Sequence, residues 1–191
     1  KMTVLLLINI CIIPINWLFL HDYQKQRILS FLDPESDPLG RGYNLIQSTI
    51  AVGSGQFLGR GLGRGTQSRL QFLPEFRTDF IFASIAEEMG FIGGLLVLSI
   101  YLFLFIYCLM LARKIDNGFS LLIIIGVISM LFFQTFVNIG MNMGIVPITG
   151  ITLPLISYGG SSLLATLLSL GMVGSITKFK RRIVVDSDSL I

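Results

Sequence analysis

Four long apolar runs divide the chain, and stretches rich in polar residues and glycine separate them. The runs cover residues 2–20, 80–112, 119–142 and 159–178. Each approaches or exceeds the roughly 20 helical residues that cross a hydrocarbon core of about 30 Å. The run at 80–112 is longer than one span needs, which predicts a helix that tilts or begins in the membrane interface. The pattern predicts an all-α polytopic membrane protein with about four transmembrane helices.

Composition places the chain in the same class. Hydrophobic residues make up 53% of it and charged residues 13%, which excludes the charged surface of an ordinary soluble domain. The formal net charge of +3 does not indicate a nucleic-acid partner, because the cations divide between the two sides of the predicted membrane. Cys11 and Cys108 lie in different apolar runs, so they predict no disulfide framework and receive no functional role.

Short basic segments set the predicted orientation. Arg113 and Lys114 follow the second apolar run, residues 178–182 carry cations after the last one, and residues 143–158 carry no charge. Both basic ends are expected on the cytoplasmic side, because short cytoplasmic loops are enriched in Lys and Arg. Residues 1–191 are therefore predicted to be a single membrane domain, with an exterior loop at 21–79 and a cytoplasmic tail at 178–191.

The predicted exterior loop contains interfacial helices. A short surface helix is expected at 21–32, a proline-containing turn or extended stretch at 33–38 and a second helical stretch at 43–52. A glycine-rich segment, the glycine loop of residues 53–65, comes next, and Arg60, Arg64 and Arg69 supply cations suited to phosphate. The loop is predicted either to direct backbone N–H groups at a diphosphate or to be a flexible segment whose arginines contact lipid head groups.

Asp79 stands where this polar stretch meets the second apolar run, so a carboxylate is expected at the membrane surface. Thr78 is predicted to be the N-cap of the helix that follows. At about 100° per residue, Asp79 shares a helical face with small residues. These are Ala83, Ala86, Gly90, Gly93 and Gly94. The face predicts either close packing against another helix or a cleft into which Asp79 points, and the cleft is the preferred interpretation.

Further polar side chains lie within the apolar runs. Glu87 and Glu88 need a partner or a water-filled cavity there, and structural pairing with an arginine or a polar helix is expected rather than catalysis. Gln134, Asn138 and Asn142 recur every four residues in the third run, so they form one polar stripe. The stripe is expected to face protein, water or substrate, with interhelical hydrogen bonding as the favoured interpretation.

The uncharged loop after the third run ends in a stretch rich in hydroxyl groups and glycine, which includes Ser157 and Tyr158. Irregular backbone at membrane depth is tolerated only where protein buries it or where it lines a cavity. The loop therefore predicts a re-entrant or interfacial turn that caps the last span.

Several motifs occur together and in order along the chain: DPESDPLG at 33–40, the glycine loop, LPEFRTDFIFA at 73–83, NIGM at 138–141 and LPLISYGGS at 153–161. As a set they resemble the SEDS family, the shape, elongation, division and sporulation proteins. Within it, the acidic-proline stretch looks more like the RodA branch than the FtsW branch. The resemblance covers essentially the whole chain and corresponds to the C-terminal half of a fold of about ten membrane helices. The chain is therefore expected to be a piece of a longer protein, whose other half would supply further walls of the cavity.

The resemblance implies a peptidoglycan glycosyltransferase that polymerises lipid II in the bacterial inner membrane during cell elongation and shape maintenance. Its implied partners are a class B penicillin-binding transpeptidase and membrane lipids. Asp79 matches the family's essential exterior-loop aspartate and is the implied general base for the acceptor sugar 4-hydroxyl. The arginines, with a divalent cation such as Mg²⁺ or Mn²⁺, would stabilise the diphosphate leaving group. Glu75 would orient the base, hold the metal or be a surface residue.

The predicted substrate-binding residues are Arg60, Arg64, Arg69, Glu75, Gln134, Asn138, Asn142, Ser157 and Tyr158. A lipid II flippase is the main alternative, because the polar stripe would line a translocation path as well as a catalytic cavity. A non-catalytic scaffold for the transpeptidase is a third function. Only the polymerase requires Asp79 as a proton acceptor.

Overall fold

The computed structural model describes residues 20–188 except positions 39, 41, 70, 71 and 74, without the side chains at 68–69 and 179–188. The described residues form helices joined by turns and contain no strand. The helices are α1 Asp22–Leu32, α2 Tyr43–Ser54, α3 Thr66–Arg69, α4 Ile81–Ala112, α5 Gly118–Asn142 and α6 Gly160–Asp188, with a 3₁₀ turn at Pro34–Ser36. Residues 1–19 lie outside the described part of the chain, so almost all of the predicted span at 2–20, including Cys11, lies outside it as well.

Three of the four predicted membrane spans are confirmed as long apolar helices in the described part of the chain. They cover Ile81–Ala112, Gly118–Asn142 and Gly160–Lys178, and each agrees with its predicted bounds to within a residue. The last helix continues to Asp188, so most of the predicted tail at 178–191 is helical. The chain is an all-helical polytopic membrane protein, as predicted.

The longest helix, α4, is broken near its N-terminal end. Gly90 has φ 66° and ψ −159°, a backbone conformation that only glycine adopts at low cost. Residues 91–112 alone are long enough to cross the hydrocarbon core at about 1.5 Å per residue. The excess length of this run is therefore a separate helical piece at 81–89. A tilt of the helix or a start in the membrane interface stays a prediction.

α4, α5 and α6 pack around two apolar clusters. One joins α4, α5 and the loop after α5, and it includes Tyr101 and Ile139. The other joins all three helices through Ala112, Leu131 and Val173. The outward faces carry many exposed leucine, isoleucine and phenylalanine side chains, as expected of surfaces that contact lipid or other membrane helices.

The predicted exterior loop forms a packed layer. Its two predicted helices are confirmed as α1 and α2, close to the expected bounds. α2 packs against α4 and α5, and its Ala51 is fully buried in a third apolar cluster with Leu73 and Ala83. This packing holds the segment before α4, and with it Asp79, against the end of the helical bundle.

Candidate active site

Asp79 lies in a tight turn, residues 75–80, that leads into α4 and is called here the Asp79 turn. The N–H groups of Thr78 and Phe80 both donate to the Glu75 carbonyl, at 3.1 and 3.3 Å. Glu75 has φ 56°, so a non-glycine residue occupies the left-handed region. Such strain persists where the surrounding structure holds the backbone in place, and it is frequent at functional sites.

Two buried asparagines of α5 hold the backbone of Asp79. The Nδ2 groups of Asn138 and Asn142 donate to Asp79 O at 2.9 and 3.0 Å, and both side chains are fully buried. Asn138 also donates to Ile151 O at 2.7 Å, which joins the turn to the loop after α5. The favoured interpretation of the polar stripe, interhelical hydrogen bonding, is confirmed for Asn142, which bonds Ala83 of α4, whereas the acceptors of Asn138 Nδ2 lie in a turn and a loop.

Asn142 also caps α4 from the neighbouring helix. Its Oδ1 accepts the N–H of Ala83, in the first turn of α4, at 3.2 Å. The prediction that Thr78 is the N-cap is wrong, because α4 begins only at Ile81. Thr78 Oγ1 instead donates to the backbone and side-chain oxygens of Glu75 at 3.2 and 3.0 Å. The Asp79 turn separates Thr78 from the helix, so an interhelical bond satisfies the helix end in place of a local cap.

The loop after α5 clamps the same turn. Ser157 Oγ donates to Thr78 O at 2.5 Å and accepts the N–H of Leu153 at 2.8 Å. The N–H of Tyr158 donates to Arg77 O at 2.9 Å. The predicted turn before the last span therefore packs directly on the Asp79 turn, and Ser157 contacts its backbone.

The environment of the Asp79 carboxyl disfavours its charged form relative to a fully solvated aspartate. Partial burial raises the pKa of Asp79 above its ordinary value, and the negative charge of Glu75 raises the pKa further. Gly150 borders the carboxylate with φ +74°, and a Cβ there would lie 3.5 Å from Asp79 Oδ2. Gly150 therefore lies next to the carboxylate, in a backbone conformation that favours glycine.

The glycine loop inserts into the break of α4. Four backbone hydrogen bonds join them: Arg60 N–H to Glu87 O and Gly61 N–H to Glu88 O at 3.0 Å, Phe91 N–H to Gln56 O at 2.8 Å, and Ile92 N–H to Phe57 O at 3.3 Å. The N–H groups of Arg60 and Gly61 therefore bind helix carbonyls. The loop's arginine side chains, rather than these N–H groups, are left to contact a phosphate.

The small residues of α4 pack closely. Those predicted to share a face, Ala83, Ala86, Gly90, Gly93 and Gly94, are all buried. A Cβ on Gly55 would lie 1.8 Å from Ala86 O, so the loop and helix backbones are in direct contact. The preferred prediction of a cleft on this face is wrong, and close packing is confirmed. Asp79 precedes the helix instead of lying on its face.

The predicted phosphate-binding arginines differ in their surroundings. The exposed Arg60 donates from Nη1 to Thr66 Oγ1 at 2.7 Å and from Nε to Ser54 O at 3.5 Å. Arg64 is also exposed. The side chain of Arg69 lies outside the described residues. Contact of these arginines with substrate stays a prediction.

The structure brings together one group of the predicted site residues around the Asp79 turn: Glu75, Asp79, Asn138, Asn142 and Ser157. The side chain of Tyr158 is 79% exposed, and Gln134 lies one helical turn from Asn138, half-buried. Arg60 belongs to the glycine loop, which contacts α4 on both sides of the break at Gly90 and also contacts α3.

The sequence patterns did not indicate Gly150 or Thr66. Gly150 adopts a positive φ beside the Asp79 carboxylate, and a lone glycine following Ile148 and Thr149 is the local signal for such a conformation. Thr66 accepts a hydrogen bond from Arg60, and its place after the last glycine of the loop is the signal for a helix start.

A divalent cation stays a prediction. Among the described residues, no group of three or more His, Cys, Asp and Glu side chains is placed to hold a metal ion. The carboxylates of Asp79 and Glu75 do interact electrostatically. Mg²⁺ is commonly bound by one or two carboxylates together with water and substrate phosphates. The site therefore fits a cation that is bound by one or two carboxylates together with a diphosphate better than a cation that is bound by protein ligands alone.

Comparison with known families matches residues 1–182 to the family of FtsW, RodA and SpoVE, described as cell cycle proteins. The chain is 52% identical over 165 residues to the peptidoglycan glycosyltransferase MrdB of Escherichia coli (strain K12), covering 86% of this chain and 45% of MrdB. It is 48% identical over 157 residues to the peptidoglycan glycosyltransferase RodA of Treponema pallidum (strain Nichols), covering 82% of this chain and 36% of RodA. Stage V sporulation protein E of Bacillus subtilis (strain 168) is 43% identical over 159 residues, covering 83% and 43%.

The fold is also similar to a solved chain from a peptidoglycan synthase complex that coordinates polymerization and crosslinking. The TM-score is 0.70 at 37% sequence identity, and the match covers 93% of this chain and 48% of the solved one. The chain thus spans about half the length, or less, of the relatives that it matches.

Proposed function

Because this chain belongs to the FtsW/RodA/SpoVE family of cell cycle proteins, we propose that it is part of a peptidoglycan glycosyltransferase that polymerises lipid II. Relatives that carry the name peptidoglycan glycosyltransferase are 52% and 48% identical to it. The observation that carries the proposal is the half-buried Asp79 carboxyl, whose pKa is raised and whose backbone Asn138 and Asn142 hold in place.

Asp79 is the proposed general base. It accepts the proton of the acceptor sugar 4-hydroxyl while the oxygen of that group attacks the anomeric carbon of the donor. The glycosidic bond forms as the bond to undecaprenyl diphosphate breaks, the diphosphate leaves with the bonding electron pair, and the anomeric configuration inverts. A carboxylate with a raised pKa suits this transfer, because a base whose pKa lies nearer the operating pH takes up the proton more readily.

Arg60, Arg64 and Arg69 are the proposed contacts of the leaving diphosphate. Guanidinium groups bind phosphate oxygens through paired, charge-assisted hydrogen bonds. Donors aimed at the position where charge develops lower the barrier more than they strengthen substrate binding. A divalent cation, when bound with the diphosphate, would add positive charge at the same place.

The asparagines act on the reaction through the backbone of Asp79. We expect Asn138→Leu to reduce the polymerisation rate about tenfold or more, because it removes the hydrogen bonds to Asp79 O and Ile151 O. The Asp79 carboxylate is then displaced, and a displaced reacting group slows the reaction. Thr166→Val is the control, since this buried hydroxyl donates to Ser162 O within its own helix. Initial rates and melting temperatures of both variants check the effect. A wild-type rate for Asn138→Leu would show that Asp79 does not need this support.

The pH dependence of the reaction should depend on Glu75. The base must be ionised, so a raised pKa of Asp79 moves the loss of activity on acidification to higher pH. We expect Glu75→Gln to remove one cause of the raised pKa and to shift the acidic limb of the rate profile to lower pH. Rates measured from about pH 4 to pH 8, with the exposed Glu35→Gln as the control, check the shift. An acidic limb that stays in place would contradict the coupling.

The proposal includes a location and partners. Lipid II carries its sugars at a membrane surface, so we place the chain in the bacterial inner membrane among its lipids, with residues 21–79 on the exterior side. The solved relative belongs to a complex that couples polymerization with crosslinking, which supports a class B penicillin-binding transpeptidase as the partner. Similarity to proteins named MrdB and RodA supports a role in elongation and cell shape.

The rival function, a lipid II flippase, relied on the polar stripe as a translocation path. Asn138 and Asn142 are fully buried and hydrogen-bonded to backbone, so these two amides are not available to line such a path. This observation favours the polymerase over the flippase. A scaffold without chemistry would not require a carboxylate with a raised pKa at Asp79.

The proposed function is tested with purified lipid II in detergent micelles. A full-length protein carrying this chain is combined with its transpeptidase, and crosslinking is blocked by an inhibitor. Micelles have no second leaflet, so neither a flippase nor a scaffold makes a new product, whereas a polymerase makes glycan strands that a gel resolves. Strands are the expected result. Their absence, with folding and partner binding intact, would overturn the proposal in favour of transport or scaffolding.

A further inference from the structure

Glu87 is a fully buried carboxylate of α4 that the proposed reaction does not use. Its Oε1 accepts the N–H groups of Thr66 and Gln67 at 2.6 and 2.9 Å and the Thr66 hydroxyl at 3.1 Å. Hydrogen bonds of this kind compensate for burying a polar group. The expected pairing of Glu87 with a polar helix is confirmed, and that helix is α3.

The contacts of Thr66 fix the direction of its hydroxyl group. A hydroxyl has one proton to donate and lone pairs to accept, whereas a guanidinium only donates, and Glu87 Oε1 already accepts two N–H groups. Thr66 Oγ1 therefore donates to Glu87 and presents a lone pair to Arg60 Nη1, which lies 2.7 Å away. The buried Glu87 carboxyl group thereby orients the acceptor that Arg60 binds.

Glu87 holds Arg60 at a second point. The N–H of Arg60 donates to Glu87 O at 3.0 Å, so the backbone of the arginine is fixed to the residue whose side chain orients its guanidinium through Thr66. Arg60 is exposed, and an exposed arginine ordinarily samples many rotamers. Here its side chain is held before any ligand binds.

We propose that Glu87 and Thr66 are positioning residues that orient the Arg60 guanidinium toward the diphosphate of the leaving group. The inference rests on the proposed function, in which Arg60 stabilises that charge. Thr66 Oγ1 accepts one N–H of Nη1 and Ser54 O accepts the Nε–H, so among the described contacts the second N–H of Nη1 and both N–H groups of Nη2 are left to bind two phosphate oxygens. Because the orientation is established in advance, less side-chain entropy is lost when the diphosphate binds.

The test compares Thr66→Val, Thr66→Ser, Arg60→Ala and the double variant Arg60→Ala/Thr66→Val in a full-length protein carrying this chain. Valine has nearly the shape of threonine and keeps the backbone bond to Glu87, but it lacks the hydroxyl. Thr49→Val is the control, because the Thr49 hydroxyl donates to Leu45 O and Ile46 O of its own helix. Thr66→Ala provides a second variant without the hydroxyl in case valine prevents folding.

We expect Thr66→Val to lower kcat for lipid II polymerisation about tenfold with a smaller change in KM, less than the loss on removing a donor outright. Thr66→Ser should restore the rate, and the double variant should be no slower than Arg60→Ala, since Thr66 acts through Arg60. A double variant slower than Arg60→Ala by the full Thr66→Val factor would overturn the inference. Wild-type kcat in Thr66→Val together with a slow Arg60→Ala would also overturn it, while the role of Arg60 would stand. A wild-type rate in Arg60→Ala would instead refute the proposed role of Arg60 itself.

Discussion

Asp79→Asn is expected to reduce the rate of lipid II polymerisation by about 10²- to 10⁴-fold, the contribution typical of a positioned general base. The amide has nearly the shape of the carboxylate but does not accept the proton of the acceptor hydroxyl. The hydrogen bonds from Asn138 and Asn142 go to the backbone oxygen of Asp79, so they are retained in the variant. The loss of rate therefore reports the chemistry of the carboxylate.

The variant should not lose stability. Burial and the charge of Glu75 raise the pKa of Asp79, so the ionised carboxylate is disfavoured in the folded protein, and a neutral amide relieves that cost above the pKa. Initial rates at saturating lipid II and melting temperatures measure the two effects. Asp33→Asn, the same change at an exposed position of the same segment, is the control and should leave both unchanged. A lowered melting temperature for Asp79→Asn would point to a structural cause for its inactivity.

Gly90→Ala is expected to disrupt the insertion of the glycine loop into α4. A Cβ at Gly90 would lie 2.3 Å from Gly59 N and 2.7 Å from the Phe57 carbonyl, and the backbone conformation of Gly90 is itself strained for any side chain. The strain alone costs about 1–3 kcal/mol. Relief of the clash would break the backbone hydrogen bonds that anchor the loop. We expect the melting temperature to fall by about 10 °C and polymerisation to be lost.

Gly126→Ala is the matched control for this change. Gly126 lies within α5, and a Cβ there would meet no atom within 4 Å. Alanine favours a helix over glycine by up to about 1 kcal/mol, so this variant should melt at or slightly above the wild-type temperature. A Gly90→Ala protein that melts at the wild-type temperature would contradict the close packing of loop and helix.

The sequence predicts the spans well and the break poorly, for a physical reason. A helix that crosses lipid must be apolar over a length set by the bilayer, so the runs in the sequence define α4, α5 and the membrane part of α6 to within a residue. The break at Gly90 depends on backbone bonds with a loop about 30 positions earlier in the chain. Glycine is common in membrane helices, so its presence alone does not indicate a break.

In the candidate site, too, local sequence patterns indicate the residues but not their long-range partners. Asp79 is recognisable from its place between a polar stretch and an apolar run, and the stripe of Asn138 and Asn142 indicates amides that face protein. The acceptor of both amides is the backbone oxygen of Asp79, 59 positions away from Asn138, and no local pattern specifies such a pairing. Thr78 has the right side chain for an N-cap, yet Asn142 takes that role because tertiary contacts override local preference.

The most direct measurement is gel analysis of glycan strands made from lipid II by the full-length wild-type protein and its Asp79→Asn variant. Both proteins are purified with the transpeptidase, and their melting temperatures are first shown to be equal. The 191-residue chain alone is assayed alongside them. We predict strands from the full-length wild type only, and none from the chain alone, which spans about half the length of its relatives. Equal strands from the wild type and Asp79→Asn would contradict the account and remove Asp79 from the chemistry.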